Sequence, residues 1–285
     1  MTWSRHLHRL GGAASTRQLL DAGATEHELT AAVARGALLR PRKGRYVSAG
    51  APEPVRSAFR VGGRLSCVSA AQSCGLWAGT DRRLHVVVPP HSGRSAGDET
   101  DVVRHWRPCE SHPEIWRVSL ADCLRTVARC ADPETAVAVL DTAISSGQAS
   151  LPRLRQFFTG EPQRSRALAA RAHPGSDSGV ESILRQRLAA RGHVIEQQVH
   201  VHGVGLVDLR VDGVLFVEVD GFAFHSDRES FERDRARDTA LTLRGARSLR
   251  LTARQVLDGP ADAVAMVEAA LAMLDREERH VALAV

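Results

Sequence analysis

The run Val214-Leu215-Phe216-Val217-Glu218-Val219-Asp220 sets two acids in an otherwise apolar stretch. Read as a strand, its period of two projects Phe216, Glu218 and Asp220 from one face and Leu215, Val217 and Val219 from the other. A second apolar run, 206–211, carries Asp208 and is joined to the first by Asp212-Gly213, a two-residue hairpin signal. Pairing Val211 with Val214 places Asp208 near Val217 or its diagonal neighbours, within reach of the same acids. Unit charges about 4 Å apart repel by roughly 4 kcal/mol at an effective dielectric of 20, and buried carboxylates without partners are expensive. A divalent cation removes that penalty. Oxygen-only ligands suit Mg2+ or Mn2+, which polarise a phosphodiester and lower the pKa of a bound water.

The elements that must position these acids follow from the flanking pattern. A helix is predicted over 180–191, stopped by Gly192, then strands over 196–201, 206–211 and 214–222. A helix over 229–244, a strand over 248–251 and an amphipathic helix over 260–274 complete an α/β unit around a mixed sheet. Ser178-x-x-Glu181 is a capping box, an ordinary reason for Glu181 to be there. The run 233–238 has the i, i+3 and i, i+4 charge pairs of a solvated helix, and His200 and His202 read as surface residues.

This ordered set resembles the PD-(D/E)XK nuclease superfamily. Within it, the stretch 179–255 resembles the very-short-patch-repair-like endonuclease domains. The resemblance is carried by Glu181, Val207-Asp208-Leu209, Phe216-Val217-Glu218-Val219-Asp220-Gly221, Phe224-His225, Arg233-Asp234-Arg235-x-Arg237-Asp238 and the strand 245–251. It implies that Asp208 and Glu218 hold metal with the backbone carbonyl of Val219, that Glu181 binds it directly or through water, and that His225 acts as base or proton shuttle. The lysine that the superfamily places two residues after Glu218 is here Asp220. His225 or one of Arg233, Arg235 and Arg237 is left to compensate.

The first fifty residues read as short helices followed by a basic hairpin. Ser15 caps one helix, Thr25-x-x-Glu28 is a capping box for the next, Gly23 and Gly36 are stops, and two short strands flank the tip at 41–44. That is the order of a winged helix-turn-helix, whose second helix enters a major groove while its wing touches backbone through Arg40, Arg42, Lys43 and Arg45. The segment resembles the winged-helix domain of AbiEi-type antitoxins in its pattern LxxLGGxxSxxxLxxxGxxxxxLxxxVxxGxLxRxxxGxY. The stretch 51–160 alternates helix and strand, and it resembles the second domain of actinobacterial AbiEi-like proteins at Asp122-Cys123-Leu124-Arg125-Thr126 and Leu140-Asp141. It contains no catalytic constellation. Cys67 and Cys74, like Cys123 and Cys130, are seven apart on predicted helices and read as core residues. Residues 161–176, rich in Pro, Arg, Ala and Gly, read as a linker with solvated arginines.

The expected class is a multi-domain α/β (α+β) chain: winged helix 1–50, α/β middle domain 51–160, linker 161–176 and nuclease-like domain 177–285. Its 285 residues, 43% hydrophobic and 25% charged, supply real cores. The net charge of +5 and the excess of arginine over lysine tilt the reading toward nucleic acid. No apolar run is long enough for a bilayer and no signal peptide is visible, so no membrane partner and a cytoplasmic location are expected. Five cysteines without a CxxC pair argue against a motif-type zinc site or redox couple. The leading expectation is a metal-dependent endonuclease acting on DNA. The alternatives are an antitoxin-like DNA-binding repressor with a non-catalytic C-terminal fold, and a nuclease toxin or defence effector restrained by its own N-terminal half. Either alternative brings in a toxin or regulatory protein as partner.

Overall fold

The computed structural model describes residues 2–89, 101–220 and 246–283. It is a mixed α/β protein, with three sheets among the described residues. Two compact units divide it, one formed by Met1–Asp132 with Arg155–Ala169 and the other by Pro133–Leu154 with Ala170–Val285. Residues 50 and 160, where the sequence reading sets boundaries, both fall within segments of the first unit. Among the described residues no helix is long and apolar enough to cross a membrane.

The first unit opens with α1 (Thr2–Arg9), β1 (Ala13–Ser15), α2 (Thr16–Asp21), α3 (Glu26–Ala34), β2 (Leu38–Arg42) and β3 (Arg45–Ser48). Both predicted capping residues act: Ser15 and Gln18, and Thr25 and Glu28, exchange the two hydrogen bonds of a capping box. Strand β3 lies between β1 and β2 in an antiparallel sheet, and Leu7, Leu10, Leu19, Leu29, Leu38 and Tyr46 fill the space beneath it. Apart from β1, the order is the one the sequence reading expected here, short helices followed by a two-stranded hairpin. Strand β1 was not foreseen, because three residues carry too little alternation to read.

What joins this segment to the middle of the chain is specific. The indole of the buried Trp116 donates to Leu10 O at 2.7 Å, and Gln18 donates to Pro113 O at 2.9 Å. Gly11, at φ +73°, lies so close to the Trp116 ring that an added Cβ would meet it at 2.8 Å. The unit continues through α4 (Glu53–Arg60), β4 (Arg64–Leu65), α5 (Cys67–Ser73), β5 (Leu84–Val87), β6 (Val102–His105) and α6 (Leu120–Cys130). Its second sheet has the order β4-β5-β6, with β5 and β6 parallel.

The second unit starts with α7 (Pro133–Ser145); α8 (Leu151–Phe157) straddles the division between the units. Half of the expected linker is helical: α9 (Gln163–Ala170) buries Ser165, Leu168 and Ala169. Alanine and arginine are good helix formers, and an apolar stripe one turn long is enough to dock them. Then follow α10 (Gly179–Ala190), β7 (Ile195–Val201), β8 (Gly205–Val211), β9 (Leu215–Asp220), β10 (Arg247–Thr252), α11 (Ala253–Asp258) and α12 (Pro260–Leu283). The sheet order is β10-β9-β8-β7, antiparallel except for the parallel pair β10-β9. Val207, Leu209, Val211, Leu215, Val217 and Val219 are its buried face.

Helix α10 packs on α7 through a polar core. Asp141 of α7, wholly buried, accepts from Ser182 Oγ at 2.6 Å, Arg185 Nη2 at 2.8 Å and the His173 N–H at 2.7 Å. Three donors, one of them an arginine, are what make a buried carboxylate tolerable. Glu134 adds a forked pair with Arg187, at 2.7 and 3.0 Å. Truncation by Asp141→Ala strands Arg185, and it is expected to lower the unfolding free energy by about 3–5 kcal/mol. Denaturant melts check this; a loss below about 1 kcal/mol, the size of a surface pair, contradicts it.

Candidate functional site

The strands bring the predicted acids together more closely than the sequence register implied. The β8–β9 ladder pairs Val211 with Leu215, not with Val214, and runs to Leu209 opposite Val217. The connection is therefore three residues, 212–214, with Asp212 and Gly213 both at positive φ. This one-residue correction matters because side chains alternate: continuing the register one step sets Asp208 opposite Glu218 rather than Val217, on the face shared with Asp220.

At that step the ladder gives way on both sides of Asp208. Toward β9, the Asp208 carboxylate accepts the Val219 N–H at 2.8 Å, so a side chain replaces the backbone partner. Toward β7, Gln198 has φ +48°, between the regular pairs Gln197–Leu209 and Val199–Val207. A non-glycine residue in the left-handed region costs on the order of 1 kcal/mol and marks strain the surroundings enforce. The sheet is thus opened locally around one acid.

Glu181 lies in the first turn of α10, and its side chain is buried. Its N–H donates to Ser178 Oγ at 3.2 Å, but its carboxylate accepts from Asp177 N at 2.9 Å instead of closing a capping box on Ser178. Burial first, and the Asp208 charge second, push the Glu181 carboxyl up to about 7. A neighbour's repulsion of that kind places Glu181 and Asp208 in one electrostatic cluster.

A cation also enters from the adjacent strand. Arg250 of β10 pairs in register with Glu218, and its guanidinium reaches Glu218 Oε2 at 2.5 Å and Asp220 Oδ1 at 3.8 Å. Sequence reading overlooked Arg250, because the parallel pairing of β10 with β9 depends on a crossover that local patterns do not encode. The alternation Arg250–Leu251–Thr252 was the available signal. Glu218 is buried and Asp220 exposed. His225, Arg233, Arg235 and Arg237 lie outside the described residues. His200 and His202 are exposed, as expected.

On the wing, Arg40 stacks over Tyr46 and Arg45 over Phe59, each 5.5 Å from the ring centroid. Partial burial, then the charges of Arg64 and Arg42, lower the Arg45 pKa, so three guanidinium groups share one neighbourhood. Lys43 is exposed at the tip.

Among the described residues, one group of three or more ligand-type side chains is gathered tightly enough to hold a single ion. It is Cys67, His85, His105 and Cys130 of the first unit, not the carboxylates. The expected helix-face pairs Cys67–Cys74 and Cys123–Cys130 are not what assembles it: Cys67 meets Cys130 across elements, and neither histidine carried a motif.

Because the folded-state pKa of Glu181 is raised, the protein binds more protons folded than unfolded between 4.5 and about 7. Stability from this group is full below 4.5 and lost as pH rises through about 7, a loss of about 3 kcal/mol. Glu181→Gln keeps the acceptor for Asp177 and is expected to remove this slope. Chemical denaturation across that window checks it; parallel wild-type and variant curves contradict it.

No family model matches the chain, and no curated protein does. A solved structure that it matches is that of the RV2827C protein from Mycobacterium tuberculosis, at 20% identity over 61% of this chain and 82% of that one. The TM-score is 0.29.

Proposed function

We propose that the C-terminal unit is a Mg2+- or Mn2+-dependent nuclease acting on DNA, with Asp208 and Glu218 as metal ligands and Glu181 as the proton-handling acid beside them. The observation that carries this reading is the buried Glu181 carboxyl, raised in part by the Asp208 charge, with Asp208 itself hydrogen-bonded to the Val219 N–H just beyond the last β8–β9 pair. Like charges in a half-dry site fit a cation, and the donors are all oxygen. The bound ion would neutralise phosphate charge and acidify a water. Glu181, titrating near neutrality, is suited to take or return a proton at its carboxylate. Arg250 supplies the positive charge that the lysine missing at Asp220 would have supplied, from the neighbouring strand. The carbonyl of Val219 and the side chains of His225, Arg233, Arg235 and Arg237 belong to the proposal on sequence grounds.

Supporting DNA as substrate is the basic wing, where Arg42, Arg45 and Arg64 crowd together, an arrangement that favours an anion such as phosphate. The double variant Arg42→Ala/Arg45→Ala is expected to weaken duplex binding across all sequences and to flatten the slope of log affinity against log salt by about 2. Fluorescence anisotropy at several salt concentrations measures both. An unchanged slope removes the wing from the DNA contact.

One observation favours a second reading, the antitoxin-like repressor with a non-catalytic C-terminal fold: Arg250 already neutralises Glu218. Incubation of the full chain with duplex, nicked, mismatched and single-stranded DNA, with and without Mn2+, separates the two. The nuclease reading predicts Mn2+-dependent cleavage that Asp208→Asn reduces by more than the about 10–100-fold typical of losing an outer-shell partner. Binding without cleavage of any substrate supports the repressor.

A further inference from the structure

We propose that Cys67, His85, His105 and Cys130 of the first unit form a closed, four-ligand zinc site. It is distinct from the carboxylate cluster in place and in donor chemistry. The four residues come from four elements: the first residue of α5, the middle of β5, the last residue of β6 and the last residue of α6. In the parallel β5–β6 ladder, His85 pairs with Val103 and Val87 with His105, so the two histidines stand on one face as diagonal neighbours.

The spacings fit a tetrahedron. With Zn–N near 2.0 Å and Zn–S near 2.3 Å, the edges of a tetrahedral site are roughly 3.3 Å between two nitrogens and roughly 3.5 Å between nitrogen and sulfur. Here His105 Nε2 is 3.4 Å from His85 Nδ1, Cys130 Sγ is 3.9 Å from that same Nδ1, and all four ligand atoms lie within 4.8 Å of one another. Two sulfurs and two imidazole nitrogens in this shape select zinc over magnesium or calcium.

The surroundings orient the ligands as a metal site requires. His85, almost fully buried, approaches Asp81 Oδ2 with Nε2 at 3.1 Å, and Asp81 is held in turn by Arg83 Nε at 3.0 Å and Nη2 at 2.7 Å. A carboxylate that accepts Nε2–H leaves the lone pair of Nδ1 facing the cysteines and His105, the outer-shell arrangement of metal-bound histidine. Cys67 has φ +50°, a left-handed backbone that a cysteine serving only as core filling has no reason to adopt. The two thiol sulfurs lie within 4.8 Å of each other and of both imidazoles, close enough for one ion to hold them as thiolates. All four positions are filled by protein, so the ion is structural; it fastens α5 and α6 to the β4-β5-β6 sheet.

The test is metal analysis of the full chain purified under reducing conditions, followed by Co2+ substitution. One zinc per chain, retained through gel filtration, is expected. Cobalt is expected to give the visible bands of a tetrahedral site together with a thiolate charge-transfer band. Cys130→Ser, at the exposed end of α6, and His105→Ala should each lose the zinc and the cobalt spectrum, while Cys109→Ser keeps both. Zinc added to stripped wild type should raise Tm, and it should leave Cys130→Ser unchanged. Reduced, folded protein that takes up neither metal overturns the proposal. So does a cobalt spectrum unaltered by Cys130→Ser, or a Cys67–Cys130 disulfide found by mass spectrometry in protein from a reducing cytosol.

Discussion

The C-terminal unit is organised around a repulsion. Glu181 on α10 is held buried beside Asp208 on β8, and its carboxyl responds by holding its proton up to about pH 7. Two acids stay this close only because other interactions fix the elements that carry them. Asp141, with Ser182 and Arg185, locks α10 on α7; the Val219 N–H holds Asp208; Arg250 holds Glu218. Each of these is a charge-assisted contact in a partly dry environment, where such bonds are strongest and their loss is most costly. The sheet's apolar face supplies the platform, and the polar contacts aim the acids.

The first unit follows a different logic. Its N-terminal segment packs around leucines and alanines, and the Trp116–Leu10 hydrogen bond, with Gly11 beneath the ring, ties that segment into the rest of the unit. Its arginines stack on aromatic rings at the wing, a placement that limits their freedom without neutralising them. Positive groups so arranged lose less entropy when they meet phosphate than free side chains do.

Much of the scaffold was legible in the sequence because it rests on local rules. Ser15 and Thr25 as caps, the stops at Gly23 and Gly36, and the alternation that groups Glu218 with Asp220 need only neighbours a few residues away. Errors arose where the deciding contact is remote or the choice is one residue wide. The Asp212-Gly213 pair signals a turn but does not fix whether the loop holds two residues or three, and that single residue decides whether Asp208 faces Val217 or Glu218. Arg250 enters through a parallel pairing, and the capping-box reading of Glu181 failed because Asp177 competes with Ser178 for the same carboxylate. His85 and Cys67 are far apart in the chain and meet only through the packing of β5 on α5.

Binding of Mn2+ to the full chain, followed by electron paramagnetic resonance with zinc held saturating, tests the central claim most directly. The account predicts one Mn2+ bound per chain in the wild type, and loss of that binding in Asp208→Asn at unchanged thermal stability. Wild-type protein that binds no Mn2+ at millimolar concentration, or an Asp208→Asn variant that binds it equally well, contradicts the account.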